Sequence, residues 1–108
     1  MYDASLISSD TVDMLVVALC ADYERRRHAI NQRTVSHRTE MEYRYLNFKV
    51  YNAAAEVVGA HSAPMMINEI GAKKGYAKSD MDEVSEKTYK RKKREIKLNI
   101  AKMLHLID

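Results

Sequence analysis

Apolar residues recur at alternating intervals of four and three positions in three long segments of this 108-residue chain. That spacing keeps apolar side chains on one face of an α-helix, whereas a half-buried strand repeats every second residue. The chain contains only three Gly and one Pro, so few positions interrupt a helix. The pattern therefore predicts an all-α fold of four to five helices, folded as a single domain over residues 1–108.

The first two segments predict a pair of long helices. The first helix runs from about 10 to 32, with Ser9 or Asp10 as its cap, and Arg26 alone interrupts its apolar stripe. The second is capped by Ser36 and ends near Gly59, because glycine readily adopts the positive φ that ends helices. Two helices of similar length joined by a short turn predict an antiparallel hairpin over 10–59.

The remainder of the chain predicts shorter elements and a final helix. A loop at 61–64 is expected to lead into a short helix that has Pro64 in its first turn and ends between Gly71 and Gly75. Ser85 is a candidate cap for a last helix over about 86–107. Its apolar stripe follows the same spacing at Tyr89, Lys93, Ile96, Ile100, Met103 and Ile107. Residues 63–107 are predicted to form a helix-turn-helix-like unit.

Five consecutive cations, residues 90–94, lie in the first half of this last helix. At about 100° per residue they sweep more than a full circle, so no face of that turn is free of charge. The turn is therefore excluded from a core, whereas the second half of the helix carries a regular apolar stripe. The sequence predicts a helix with an anchored rear and a projecting cationic front.

Charge is unevenly distributed along the chain, whose net charge is +3. Residues 1–71 hold seven Lys or Arg and nine Asp or Glu, net −2, and residues 72–108 hold eleven and six, net +5. This polarity is typical of an anion-binding end attached to a neutral body, although excess Lys also serves solubility.

Several classes of function find no support in the sequence. Cys20 is the single cysteine, which excludes an intramolecular disulfide and predicts a buried thiol among apolar neighbours. The four histidines form no pair with metal-ligand spacing, and neither a nucleophile turn nor a phosphate-binding glycine loop is present. No enzyme activity, metal, cofactor or small-molecule substrate is predicted. Without a signal sequence or an 18-residue apolar run, a cytoplasmic protein that does not bind membranes is expected.

Binding to double-stranded DNA is the predicted function. A helix that begins with a small hydroxyl residue, exposes Lys and Arg in its first turns and buries its later turns is how helix-turn-helix proteins present a recognition helix. Four residues are predicted to approach the major groove: Ser85, Lys87, Thr88 and Arg91. Four more are predicted to neutralise phosphates: Lys90, Lys93, Arg94 and Lys97.

A second cationic segment lies between Arg25 and Arg38, which hold between them five arginines, two histidines and no acid. One interpretation is that Arg25 to Arg27 and His28 complement the negative C-terminal end of the first helix. The other is that the tip of the hairpin contacts an anion.

Residues 75–104 resemble the C-terminal helix-turn-helix of phage transcriptional regulators of the ArpU type, which are similar to region four of sigma factors. The matching landmarks are Gly75, Tyr76, Ser85, Thr88, Tyr89 and Ala101. Between them the family carries an Ile-Ala pair and a Leu, where this sequence has only Met81 and Val84 over a tighter span. The resemblance covers under a third of the chain and implies a DNA-binding regulator of phage or mobile-element type.

Two further expectations complete the sequence-based picture. A homodimer would roughly double the phosphate contacts, and the hairpin is where its seam is expected. The rival interpretation is a helical interaction module, such as a phage-encoded inhibitor or adaptor, whose cations meet an acidic protein surface.

Overall fold

The computed structural model describes residues 9–78 and 85–107, and this part of the chain is entirely helical or loop, without a strand. Four α-helices follow one another: α1 (Ser9–Ala21), α2 (Tyr23–Gln32), α3 (His37–Gly71) and α4 (Glu86–Met103). A 3-10 turn, Tyr76–Lys78, follows α3. The predicted all-α class is confirmed for the described residues.

The helix predicted over 10–32 is interrupted at Asp22, whose backbone (φ −94°, ψ 3°) departs from helical geometry. Arg26, which interrupts the apolar stripe in the sequence, is only 3% exposed and lies at this junction. Its Nη2 donates to the Leu19 carbonyl at 2.6 Å, and its Nε donates to Oδ1 of Asn47 on α3 at 2.6 Å. The Asn47 amide donates in turn to the Tyr23 carbonyl at 3.2 Å. A polar cluster centred on the buried Arg26 thus joins α1, α2 and α3 where the first helix breaks.

Gly59 divides α3 into a first arm, residues 37–58, and a second arm, residues 60–71. Its backbone (φ 83°, ψ 162°) lies in a region that is essentially restricted to glycine. Asn47 contacts Tyr23, and Gly71 lies against Ala21, although Asn47 and Gly71 would be about 36 Å apart along a straight helix. The two arms therefore fold back on each other.

The structure differs from the predicted connection after Gly59. Gly59 does adopt positive φ as expected, but helix resumes directly after it, so the loop predicted at 61–64 is wrong and Pro64 lies inside α3. Pro64 cannot donate to the carbonyl four residues earlier. That carbonyl, on Ala60, accepts from the Tyr51 hydroxyl at 3.5 Å instead. A single residue is sufficient for this reversal because glycine has access to conformations closed to other residues.

The last helix begins as predicted but ends four residues early, at Met103 instead of 107. His105 adopts positive φ (58°), its N–H bonds to the Lys102 carbonyl, and the Leu106 N–H bonds to the Ala101 carbonyl. This is the paired hydrogen-bond pattern of a Schellman helix end. It returns Leu106 and Ile107 to the core, against which both pack.

The core lies between α3 and the other helices and is formed by small and branched apolar side chains. Its fully buried members include Val16, Val50, Met66, Ile67, Ile96 and Ile100. Cys20 is 1% exposed, as predicted for a structural thiol, and burial raises its pKa to about 12. The thiol is therefore neutral and unreactive at physiological pH.

Replacing the glycines one at a time separates backbone strain from steric fit. Gly59→Ala is expected to lower the free energy of unfolding by about 1–3 kcal/mol, since its Cβ meets no atom within 4 Å and only the backbone is strained. Gly71→Ala is expected to destabilise through contact, because its Cβ would lie 2.5 Å from the Ala21 nitrogen. Urea denaturation measures both.

Gly75→Ala is the matched control, because its Cβ meets no atom within 4 Å and its φ is not positive. We expect a change within about 0.5 kcal/mol. Equal stability of the Gly59→Ala and Gly75→Ala variants would contradict the assigned role of Gly59.

The buried cluster at the α1–α2 junction makes a second prediction. Arg26→Ala is expected to lower the free energy of unfolding by about 2–4 kcal/mol, because it removes charge-assisted hydrogen bonds and leaves Asn47 and the Leu19 carbonyl without this donor. Arg25→Ala, which removes an exposed ion pair with Asp22, is expected to change it by less than about 1 kcal/mol. A double-mutant cycle with Asn47→Ala is expected to give a coupling above about 1 kcal/mol. Additive effects would show that the two side chains act independently.

Candidate nucleic-acid interface

The beginning of α4 is fixed by a hydroxyl cap. The Ser85 Oγ accepts from the Thr88 backbone N–H at 3.2 Å and donates to the Thr88 Oγ1 at 3.0 Å, so the predicted cap is confirmed. Because each hydroxyl already bonds the other, Ser85 and Thr88 serve first to define the helix start. The following cations are thereby presented from a helix with a fixed first turn.

Four exposed cations lie on one side of α4, at the spacing i, i+3, i+4 and i+7: Lys87, Lys90, Arg91 and Arg94. This spacing places them within about a third of the helix circumference. Together with Thr88 they line a shallow concavity. The opposite side of the helix buries Tyr89, Ile96 and Ile100 in the core. We call these four residues the cationic stripe.

Neighbouring acids neutralise the cationic stripe only weakly. Lys90 pairs with Glu86 at 3.1 Å and Arg91 pairs with Glu95 at 3.7 Å, and all four side chains are at least half exposed. Solvent-exposed pairs of this kind contribute about 0–1 kcal/mol, so a phosphate can readily replace the carboxylate. Among the described residues, no acid forms an ion pair with Lys87 or Arg94.

Lys93 and Lys97, both predicted to meet phosphates, instead contact the protein itself. The Lys93 Nζ donates to the Lys74 carbonyl at 2.6 Å and lies 5.7 Å from the centre of the Tyr89 ring. Burial, followed by the nearby charge of Lys97, lowers the pKa of Lys93. Lys97 pairs with Asp13 of α1 at 3.0 Å, with its side chain 29% exposed. The sequence alone does not distinguish these two lysines from the exposed cations of α4, although Lys93 does occupy a position of the apolar stripe.

Glu69 on the second arm of α3 is a buried acid that the sequence analysis missed. It is 2% exposed, and the Tyr89 hydroxyl donates to its Oε1 at 2.8 Å. The Tyr76 ring packs edge-on against Tyr89 with 5.7 Å between centroids. The sequence signal for the burial of Glu69 is its position between two apolar residues, Ile67 and Ile70. These contacts hold the first half of α4 against the end of α3 and keep the cationic stripe in place.

The sequence places Arg25 to Arg27 near the end of one long first helix, but in the structure they lie elsewhere. Because the first helix breaks at Asp22, Arg25 to Arg27 belong to the first turns of α2, and no basic residue lies in its last turn. Arg26 nevertheless bonds to the last turn of α1, through the Leu19 carbonyl, so the expectation that these residues complement the C-terminal end of the first helix holds for Arg26, although α1 ends at Ala21 and not near residue 32. Contact of the segment with an anion stays a prediction. Arg25 pairs with Asp22 at 3.1 Å, Arg27 pairs with Glu24 at 2.9 Å, and Arg26 is buried.

The described residues contain no group of three or more His, Cys, Asp or Glu side chains placed to hold a metal ion. No helix among them combines the length and apolarity needed to cross a membrane. Comparisons with protein-family models, with curated proteins and with solved structures found no match to this chain.

The anchor between α3 and α4 makes a stability prediction. Tyr89→Phe keeps the ring but removes the donor to Glu69, and it is expected to lower the free energy of unfolding by about 1–3 kcal/mol. Tyr45→Phe, at a position where the side chain is 53% exposed, is the matched control and is expected to change stability by less than about 0.5 kcal/mol. Thermal and urea denaturation measure both. Equal stability of the two variants would exclude Tyr89 as an anchor.

Proposed function

We propose that the protein binds double-stranded DNA through the cationic stripe of α4. The observation that supports the proposal best is the arrangement of Lys87, Lys90, Arg91 and Arg94 on one exposed side of a helix whose other side is buried. Duplex DNA presents closely spaced phosphates on either side of a groove wide enough for an α-helix. A helix with a cationic front and an anchored rear fits that surface.

Within this proposal the four cations have two kinds of role. Lys87 and Arg91 lie near the helix start and approach base edges, where Arg and Lys bond to guanine. Lys90 and Arg94 contact phosphates, and the positive end of the α4 dipole adds to the attraction. Lys93 and Lys97 keep their contacts with the Lys74 carbonyl and Asp13. The proposal therefore includes fewer phosphate-binding residues than were expected from the sequence.

The proposal includes a biological class and an arrangement. We infer a small transcriptional regulator of phage or mobile-element type, in which a hairpin over 10–59 supports a helix-turn-helix-like unit over 63–107. Its support is the resemblance of residues 75–104 to ArpU-type regulators and the Ser85 cap that opens the proposed recognition helix. The turn of that motif, including Met81 and Val84, falls in residues 79–84, outside the described residues.

The rival proposal uses the same cations differently. A helical inhibitor or adaptor would direct the cationic stripe toward an acidic protein surface, and the exposed pairs with Glu86 and Glu95 suit such exchange. DNA binding differs from it by a steeper dependence of affinity on salt, because counterions condensed on the duplex are released on binding.

Fluorescence anisotropy with a random-sequence duplex tests the proposal. A random-sequence duplex offers no specific bases, so all four cations are expected to lie against phosphates there. Four such contacts predict that the association constant falls on the order of 100-fold between about 50 and 200 mM salt. Lys90→Ala/Arg94→Ala removes two of the four cations, so both the affinity at low salt and the salt dependence are expected to fall, the latter by about half.

Arg44→Ala/Lys102→Ala is the control with the same change in net charge. Arg44 pairs with Glu40 as Lys90 pairs with Glu86, while Lys102, like Arg94, forms no ion pair with the described residues. We expect this variant to keep most of the wild-type affinity. No binding at low salt, or equal losses in the two variants, would contradict the proposal and favour the acidic-protein rival.

A further inference from the structure

The outer side of the first arm of α3 carries an apolar stripe that no other part of the described chain covers. Met41, Tyr45 and Phe48 are 59%, 53% and 64% exposed. The opposite side of the same arm buries Val50 and Ala54 completely. This arm therefore has two apolar sides: an inner side that is buried in the core and an outer side that is exposed.

The spacing of these three residues makes the exposure informative. Intervals of four and three place Met41, Tyr45 and Phe48 on one helix face, the same spacing that the chain uses for its buried stripes. Single exposed apolar residues are common, but a contiguous apolar patch rimmed by charge marks an interaction surface.

The charges on this face alternate in sign along the arm: Arg38, Glu42, Lys49 and Glu56. On a helical wheel they fall on the same side as Tyr45, within about 60° of it. If two such faces meet antiparallel about a two-fold axis near residues 46 and 47, Arg38 of each comes opposite Glu56 of the other. The same operation brings Glu42 opposite Lys49 and Tyr45 opposite Phe48. In a parallel pair each charged residue would instead lie at the same height as its own copy in the other chain, which carries the same charge.

The face is thus complementary to itself in both apolar and charged groups. We propose that it binds a second copy of this chain, antiparallel, to form a two-fold symmetric dimer. An isologous contact of this kind uses every favourable pair twice. The antiparallel register needs no rearrangement of the core, because none of the participating side chains is buried.

Contacts within one chain leave the charges available. Arg38 and Glu42 lie 3.6 Å apart, with side chains 92% and 63% exposed, which is a weak pair. Lys49 lies 5.5 Å from the centre of the Tyr45 ring. Glu56 accepts a long hydrogen bond, 3.4 Å, from the Asn99 amide. None of these contacts buries the charged group, so each group remains accessible to a partner chain.

The dimer is independent of DNA binding, since its face on α3 contains no residue of the cationic stripe. Sedimentation in the absence of DNA therefore tests it separately. One pair of helices gives an interface at the small end of the range for specific complexes, so a dissociation constant in the micromolar range is expected.

Charge reversal tests the antiparallel register. Arg38→Glu places an acid opposite Glu56 twice per dimer, and Glu56→Arg places a cation opposite Arg38 twice. Each variant alone is expected to dimerise at least about tenfold more weakly than wild type. When the two variants are mixed in equal amounts, each mixed dimer pairs the introduced acid with the introduced cation at one end and keeps the native Arg38 and Glu56 pair at the other. Dimerisation in the mixture is therefore expected to return close to the wild-type constant.

Tyr45→Ser/Phe48→Ser tests the apolar centre and is expected to weaken dimerisation on the order of 100-fold. Lys102→Glu, at an exposed position of α4 outside both proposed surfaces, is the control and is expected to leave the dissociation constant unchanged. Circular dichroism of each variant checks that the helices are intact, which their surface positions favour. A wild-type monomer at about 1 mM, an unaffected Tyr45→Ser/Phe48→Ser variant, or no recovery in the mixture would each overturn the proposal.

Discussion

The reversal at Gly59 is the constraint on which the rest of the structure depends. As one straight helix, α3 would be about 52 Å long, which exceeds the 43 Å largest dimension of the described chain. Folding back brings both arms to the α1–α2 junction and makes α3 the helix that packs most extensively against the other three. The core then forms along two short helices instead of one long one, and α4 gains a surface on which to pack. A residue with a Cβ at this position would resist the backbone conformation on which all of this relies.

Side chains from elsewhere in the fold bond the backbone at several places where a helix is interrupted or ends. Interruptions expose carbonyl groups that a continuous helix would bond internally, and leaving them buried without donors is costly. Four carbonyls at or near these places accept from side chains: Leu19 from Arg26, Tyr23 from Asn47, Ala60 from Tyr51 and Lys74 from Lys93. The long polar residues that look misplaced in the apolar stripes are thus part of how the helices join. The same contacts fix the orientation of α4, and with it the direction in which the cationic stripe projects.

Sequence patterns predicted which helix carries the candidate interface but not which of its cations are exposed. The spacing of apolar residues and the run of cations were sufficient to predict that α4 has a buried rear and a charged front. They could not separate Lys90 and Arg94, which remain exposed, from Lys93 and Lys97, which contact Lys74 and Asp13. Similarly, Arg26 was visible as an interruption of a stripe, but its partner Asn47 is 21 positions away. A lysine side chain is flexible enough either to project into solvent or to contact the protein, so the groups near it in the folded structure decide which it does.

What the sequence determined by itself is local: the helical class, the caps at Ser36 and Ser85, and the break at Gly59. These features depend on hydrogen bonds and rotations within about four residues, which composition and spacing encode directly. Only the tertiary structure decided that α3 folds back at once, that the first helix breaks at Asp22, and which cations remain available to a partner. Those outcomes depend on carbonyls and carboxylates brought together from distant segments, and the burial of a polar side chain is favourable only when such partners are present.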